Sequence, residues 1–158
     1  AGSAGNVIAE EAELSGSIRT SLDESRKRIH HGLTRMVKAA AELHNAEIDI
    51  DIRHGYPPVV NEPRAVSIAR QAAVDIVGAE HVVAAEHPSM GSEDFSFYLE
   101  KSPGCFVRFG ARHADWEPIP LHSPAFDIDE HVLGIGARFL DRVARVAHER
   151  INEFANEV

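Results

Sequence analysis

The feature that most constrains the fold is a change of hydrophobic period early in the chain. After Ser21 the apolar residues recur at helical spacing, and from Glu47 to Arg53 they alternate with polar residues. Helical spacing predicts one buried helix face, whereas alternation predicts a strand with one face in water. The helical positions are Ile29, Leu33, Met36, Val37, Ala40 and Leu43, and the alternating positions are Ile48, Ile50 and Ile52.

A second alternating segment, "EAELSGSIRT", precedes this helix. Ser21 and Glu24 lie between the two and match the S-x-x-E capping box, which predicts where the helix begins. The order strand, helix, strand predicts an antiparallel sheet with a helix on one face.

The segment "GYPPVVNEP" contains three prolines and one glycine and interrupts both periods. Such a segment is typical of a domain boundary. We therefore expect two domains, one over residues 1–55 and one over residues 56–158.

The second part alternates helices and strands. Asn61, Pro63 and Gly78 predict the cap, first turn and end of one helix, and Ser92 is placed to cap the helix "EDFSFYLEK". The apolar run "GCFVRFG" predicts a central strand. Together with the apolar strand at "HVVAA", this order predicts an incomplete three-layer α/β unit, so the whole chain is assigned to the α/β class.

A long helix is expected from about Asp129 onward. Gly134 and Gly136 would each cost it about 1 kcal/mol relative to alanine, so we expect close backbone packing there. Its candidate core residues are Val132, Leu133, Phe139, Leu140, Val143, Val146 and Ile151.

Charge and composition limit the partners and the location. The formal net charge is -9 and no dense Lys/Arg block is present, which argues against nucleic acid and anionic membranes. Small molecules or proteins are the expected partners. The single cysteine, Cys105, lies in an apolar run and is interpreted as a buried structural thiol. With neither a signal-peptide pattern nor a membrane-spanning run, the chain is expected to be cytoplasmic.

His122 is the first candidate functional residue. It lies in "EPIPLHSPAFDID", where three prolines stiffen the loop, and neutral imidazole is a common zinc ligand. Taken alone, a loop histidine is more often a surface or packing residue. A local metal site formed with His113, Asp115 and Glu117 is a further alternative.

Two other groups could bind a substrate. Gly91 and Ser92 precede a predicted helix, where backbone N–H groups can meet a carbonyl or carboxylate. Asn6 and Arg19 offer an amide and a guanidinium that together could bind a carboxylate. Spacing alone does not distinguish either group from ordinary surface residues.

Four segments, taken in order, carry a family resemblance. The stretches "GNVIAEEAELSGSIRT", "RHGYPPVVNEP", "MGSEDFSFYLEKSPGCFVRFG" and "PLHSPAFDIDEHVLGIGARFL" resemble the di-zinc amidohydrolases that include hippurate hydrolases, indole-acetyl-amino-acid hydrolases and N-acyl-amino-acid carboxypeptidases. The resemblance implies that residues 1–55 are the later part of a lid and dimerisation domain. It also implies that residues 56–158 are the C-terminal part of a metal-dependent catalytic domain.

The resemblance assigns roles to individual residues. Asn6 and Arg19 match the residues that hold the substrate's free carboxylate, although Ala9 stands where the family usually has proline. Gly91 and Ser92 match a loop that lines the substrate pocket. His122 matches a zinc ligand.

The implied function is hydrolysis of the amide bond of hippurate-like N-acyl amino acids by metal-activated water. The resemblance implies a divalent metal, two zinc ions in the parent enzyme, with manganese, cobalt or nickel as substitutes. It further implies a homodimer formed through the lid. The general base and the other metal ligands are expected upstream, so the isolated chain is expected to be inactive. The alternative is a non-catalytic dimerisation or interaction module derived from this family.

Overall fold

The computed structural model describes the backbone of residues 1–2 and 5–155, and the side chains of those residues as far as Arg150. In this part the chain forms four α-helices and a short 3₁₀ turn. It divides into two compact units, the first comprising Ala1–Pro58 with Ser89–Ser92 and the second comprising Val59–Pro88 with the chain from Glu93 onward. The helices are α1 (Asp23–His44), α2 (Pro63–Val77), α3 (Ser96–Leu99) and α4 (His131–Ala155), and the 3₁₀ turn is Ala79–His81.

The described residues contain no β-strand, so the predicted α/β fold, with an antiparallel sheet followed by an incomplete three-layer unit, is wrong. Ile48 and Ile50, which the alternation places on a buried face, are 42% and 40% exposed. Alternation describes which way side chains point from an extended backbone. A strand also needs N–H and C=O partners on another segment, and the described segments around Ile18 and Ile50 exchange no backbone hydrogen bond.

Helix α1 confirms the helical period, but its start differs from the prediction. The helix begins after Leu22 and no side chain caps it, so the capping box of Ser21 and Glu24 does not form. It ends at His44, and the next residue, Asn45, has a left-handed backbone (φ 48°) that suits asparagine. None of its residues is buried, so the predicted buried face of this helix is absent among the described residues.

Helices α2 and α4 form the core of the second unit. Ala69 and Ala72 of α2 pack against Phe139 and Val146 of α4, and all four are at most 7% exposed. The two alanines leave room for the larger side chains of α4. Arg142 of α4 also forms an ion pair of 2.7 Å with Asp75 of α2.

The predicted long helix at the end of the chain is confirmed as α4, but not all of its details are. Leu133 and Leu140 are 61% and 67% exposed, so they are not core residues. A Cβ added at Gly134 or Gly136 would meet no atom within 4 Å, so the expected close packing is absent among the described residues. The side chain of Ile151 lies outside the described residues.

Helix α2 has the predicted proline in its first turn and the predicted glycine, Gly78, at its end. Its cap is Glu62 rather than Asn61, because a carboxylate oxygen of Glu62 accepts a hydrogen bond of 2.7 Å from the N–H of Ala65. The backbone N–H groups of Arg64 and Ala65 lower the pKa of Glu62.

Asn61 instead bonds to the backbone of a distant segment. Its amide accepts from the N–H of Phe106 at 2.8 Å and donates to the C=O of Phe106 at 3.3 Å. The N–H of Glu62 donates to the C=O of Gly104 at 2.9 Å. The predicted central strand "GCFVRFG" is therefore held partly by a side-chain amide and does not form a backbone ladder.

The segment before it contains only one helical turn, α3, where a longer helix was predicted. Ser92 does not cap it. Ser96 is 1% exposed and donates from Oγ to the C=O of Glu93 at 2.6 Å.

Cys105 is half-buried against the core, and this burial raises the pKa of its thiol, consistent with a structural role. Within the described residues, no helix is both long and apolar enough to cross a membrane.

Candidate functional site

Arg19 joins two distant segments within the first unit. Its Nη1 donates to the C=O of Met90 at 2.9 Å and to Oγ of Ser92 at 2.8 Å, across 71 and 73 positions of sequence. Two of the four predicted substrate-binding residues, Arg19 and Ser92, are thus in direct contact. Both are exposed, so a ligand can reach them.

Gly91 lies between these two contacts in the loop of residues 89–92. Its N–H donates to Oγ of Ser89 at 3.1 Å. A Cβ at Gly91 would lie 3.3 Å from the same oxygen, which is a tight approach. A residue without a side chain therefore lets this loop remain compact next to Arg19.

Asn6 lies in an exposed turn. No hydrogen bond links it to Arg19 or to the loop among the described residues. The described contacts therefore bring together Arg19 and the Gly91–Ser92 loop, but not Asn6.

The electrostatic character of this region comes from Arg19. No described carboxylate forms an ion pair with it, and arginine is always charged near neutral pH. Its present partners, a carbonyl and a hydroxyl, are neutral, so an anion with planar oxygens can still add a charge-assisted pair. Chemically, the site is suited to holding a carboxylate.

One partner of Arg19 could not be found by reading residue types. The Met90 contact uses a backbone carbonyl, which every residue has, so no sequence signal marks it. Next to Arg19, Oγ1 of Thr20 is buried and has no hydrogen-bond partner among the described residues.

His122 lies in the second unit with an unusual backbone. Its φ is 70°, and the N–H of Ser123 donates to the C=O of Pro120 at 3.2 Å, which closes a turn with His122 at its third position. Positive φ at only this position matches a type II turn, where glycine is usual. A histidine held there is strained, and strained residues concentrate at functional sites.

The surroundings of His122 do not complete a metal site. Among the described residues, no group of three or more His, Cys, Asp or Glu side chains could hold a metal ion. His113 pairs with Asp115 at 3.6 Å and His131 with Asp129 at 2.7 Å, and neither pair includes His122. The described residues therefore do not favour the local metal site of His113, Asp115, Glu117 and His122.

Similarity to known proteins extends over most of the chain. The family model described as "Peptidase family M20/M25/M40" matches residues 3–146. The N-acetylcysteine deacetylase of Bacillus subtilis (strain 168) is 32% identical over 96% of this chain and 38% of its own length. The IAA-amino acid hydrolase ILR1-like 4 of Arabidopsis thaliana is 34% identical over 86% of this chain and 32% of its own length.

Another relative, from Rhodococcus jostii (strain RHA1), has a name that describes a glutamate–cysteine ligase. It is 33% identical over 92% of this chain and 18% of its own length. The chain thus spans well under half the length of these curated relatives. No solved structure matches it.

Proposed function

Because the chain belongs to the peptidase family M20/M25/M40, we propose that it is part of a metal-dependent amidohydrolase that cleaves the amide bond of N-acyl amino acids. Membership over residues 3–146 confirms the family resemblance that the sequence motifs carry. The observation that supports the substrate class best is the exposed Arg19, held beside Ser92 with no described carboxylate on it.

The substrate proposal rests on charge and chemistry. The names of two relatives specify N-acetylcysteine and an IAA-amino acid, each an amino acid acylated on nitrogen. Such a substrate keeps a free carboxylate, which Arg19 binds in this proposal, and Asn6 adds an amide donor. Gly91 and Ser92 border the same ligand, and a hippurate-like compound is the representative substrate. The ligase name belongs to a relative of which this chain covers 18%, and it provides no activity for this chain.

The proposal gives His122 the role of one ligand to a divalent metal. Catalytic zinc usually has three protein ligands, so the described residues do not fit a complete metal centre. The other ligands and the general base would then come from the longer enzyme, where two zinc ions, or manganese, cobalt or nickel in their place, would activate water. Besides contributing His122, this chain's part in the proposed reaction is to bind and orient the substrate.

The domain roles follow from the same proposal. Residues 1–55 correspond to the later part of a lid and dimerisation domain, and residues 56–158 to part of the catalytic domain. The homodimer and the cytoplasmic location expected from the sequence stay predictions.

One observation favours the alternative of a non-catalytic dimerisation or interaction module. Helix α1 has no buried residue, and its apolar face includes Ile29, Met36 and Leu43, at 40%, 60% and 79% exposure. A face of this kind is available to a protein partner. Sedimentation of the chain and of Met36→Glu tests this face: a monomer in both contradicts the module. Loss of self-association in the variant supports the module if the longer polypeptide also fails to hydrolyse hippurate.

The amidohydrolase proposal is tested by measuring hippurate hydrolysis by the longer polypeptide that it requires. We expect Arg19→Met to raise KM for hippurate far more than for hippuramide, which lacks the carboxylate. We expect His122→Asn to abolish turnover while preserving the turn, because asparagine tolerates positive φ.

Ser102→Ala is the matched control, since Ser102 is exposed and its hydroxyl only approaches the neighbouring Pro103 carbonyl, at 3.5 Å. Full activity in His122→Asn, or equal effects of Arg19→Met on both substrates, would contradict the proposal.

A further inference from the structure

Arg19 is held by one of its two terminal nitrogens. Both described hydrogen bonds, to Met90 and to Ser92, come from Nη1. A guanidinium has five N–H donors in a fixed planar arrangement, so the two bonds account for the donors of Nη1. Nε and Nη2 donate to no described residue. Their N–H groups lie side by side along one edge, which is the geometry that a carboxylate meets with two parallel hydrogen bonds.

We propose that Ser92 and Met90 are positioning residues, which hold Nη1 so that the Nε–Nη2 edge of Arg19 faces the substrate carboxylate. This inference rests on the proposed function, because it takes the carboxylate to be the ligand of Arg19. It gives Ser92 a different role from the one expected from the family resemblance. Ser92 acts through Arg19 and does not itself need to touch the substrate.

The loop is built to serve as a fixed support. Residues 89–92 group with the first unit, although the residues before and after them in the chain belong to the second. Ser89 accepts the N–H of Gly91, which keeps the turn closed between the two groups that bind Arg19. Both hydrogen bonds of Arg19 are therefore made to one short segment. Because two bonds hold it, rotation of the guanidinium about its Nε–Cζ bond is limited.

Fixing an arginine in advance favours binding. A free arginine loses much rotamer freedom when it binds a ligand, and a side chain that is already held loses less. The two partners are neutral, so they orient the guanidinium without cancelling its charge. A carboxylate that approaches the remaining edge meets an undiminished positive charge.

The Nε–Nη2 edge of Arg19 also predicts selectivity for a carboxylate over a primary amide. A planar carboxylate accepts both N–H groups of the edge, whereas a primary amide has only one acceptor oxygen and adds donors that face the arginine. Lysine at position 19 could still donate to Met90 and Ser92, but it has no second edge. Arg19→Lys should therefore keep the loop contact and lose the ligand.

The test uses the 158-residue chain and the side-chain N–H signals of its arginines in nuclear magnetic resonance spectra. Without ligand, we expect slow rotation of the Arg19 terminal nitrogens in the wild type and fast rotation in Ser92→Ala. Titration with hippurate should then shift the Nε–H signal of Arg19 in the wild type, and hippuramide should not. Ser92→Ala should weaken hippurate binding by about three- to tenfold, the loss of one net hydrogen bond.

Ser92→Thr, which keeps a hydroxyl, should restore both slow rotation and affinity, and Ser102→Ala should leave both unchanged. Fast rotation of Arg19 in the wild type, or equal hippurate affinity in wild type and Ser92→Ala, overturns the positioning role. If hippurate leaves the Arg19 signal in place while rotation is slow, the carboxylate site of the proposed function fails and the positioning role fails with it. The rotation and titration data separate these two failures.

Discussion

At the scale of single residues, His122 and Asn45 are the two described non-glycine residues with positive φ. Asn45 ends a helix, where this conformation satisfies carbonyl groups of the last turn. His122 instead occupies the third position of an exposed turn, where glycine would adopt the same φ without steric cost. The cost of the left-handed region for a residue with a Cβ is about 1–2 kcal/mol, so the histidine is kept there despite strain.

This strain predicts an unusual mutational order at position 122. We expect His122→Gly to leave the free energy of unfolding unchanged or to raise it, because glycine adopts positive φ without steric cost. His122→Val should lower it by about 1 kcal/mol or more, since a β-branched residue fits this region poorly. Urea unfolding of the three chains measures the difference, and equal stability of the Gly and Val variants would contradict the strained turn.

At the scale of elements, the contact of α2 with α4 is the main source of buried apolar surface in the second unit. Phe139 is 6% exposed and its ring meets Phe109 edge-on at 5.3 Å, whereas its neighbour Leu140 is 67% exposed. We expect Phe139→Ala to lower the free energy of unfolding by about 3 kcal/mol. Leu140→Ala is the matched control on the same helix and should change it by less than about 0.5 kcal/mol. Similar losses in the two variants would show that α4 packs with a different face.

The Asp75–Arg142 pair predicts how this contact responds to acid. The hydrogen bond from Arg142, with a second one from Gln71, lowers the pKa of Asp75. A lowered pKa in the folded state means stability that is present above the ordinary aspartate pKa of about 4 and is lost as pH falls through the folded-state value. We therefore expect thermal unfolding temperatures to fall on acidification more steeply in the wild type than in Asp75→Asn.

Arg142→Met is the matched partner variant and should flatten the same part of the pH profile. Because the aspartate side chain is partly exposed and salt weakens such pairs, the difference should also shrink at high ionic strength. Parallel pH profiles for wild type and Asp75→Asn would exclude a role for this pair in acid stability.

At the scale of the whole molecule, the described residues include no group of three ligands that could hold a metal ion with His122. We expect calorimetric titration of the 158-residue chain with zinc to show no tight stoichiometric binding. His122→Asn should give the same result. Tight binding that disappears in His122→Asn would mean that a complete local site exists, and the proposal that the other ligands come from a longer enzyme would then be wrong.

Part of the candidate site could be predicted from the sequence. Ordered motifs identify Arg19 and Ser92 as residues of interest, and the structure brings them to 2.8 Å. In the structure, Nη1 of Arg19 donates to both Ser92 Oγ and the Met90 carbonyl. These partners lie in a loop 71 to 73 positions away in the sequence. No local pattern encodes such a distance. The roles of Asn6, Arg19, Gly91, Ser92 and His122 in binding stay predictions.

The sequence by itself determined the helices α1, α2 and α4 and the family of the chain. Helical hydrogen bonds join residues four apart, and the punctuation by Pro63 and Gly78 is local as well, so a linear pattern suffices for both. Only the tertiary structure decided which apolar residues are buried, that the alternating segments form no described strand, and that Asn61 bonds to Phe106 while Glu62 caps α2. Those outcomes depend on partners far away in the chain. An alternating or capping pattern indicates which structure a segment can form, but it does not specify the distant residues that the segment contacts.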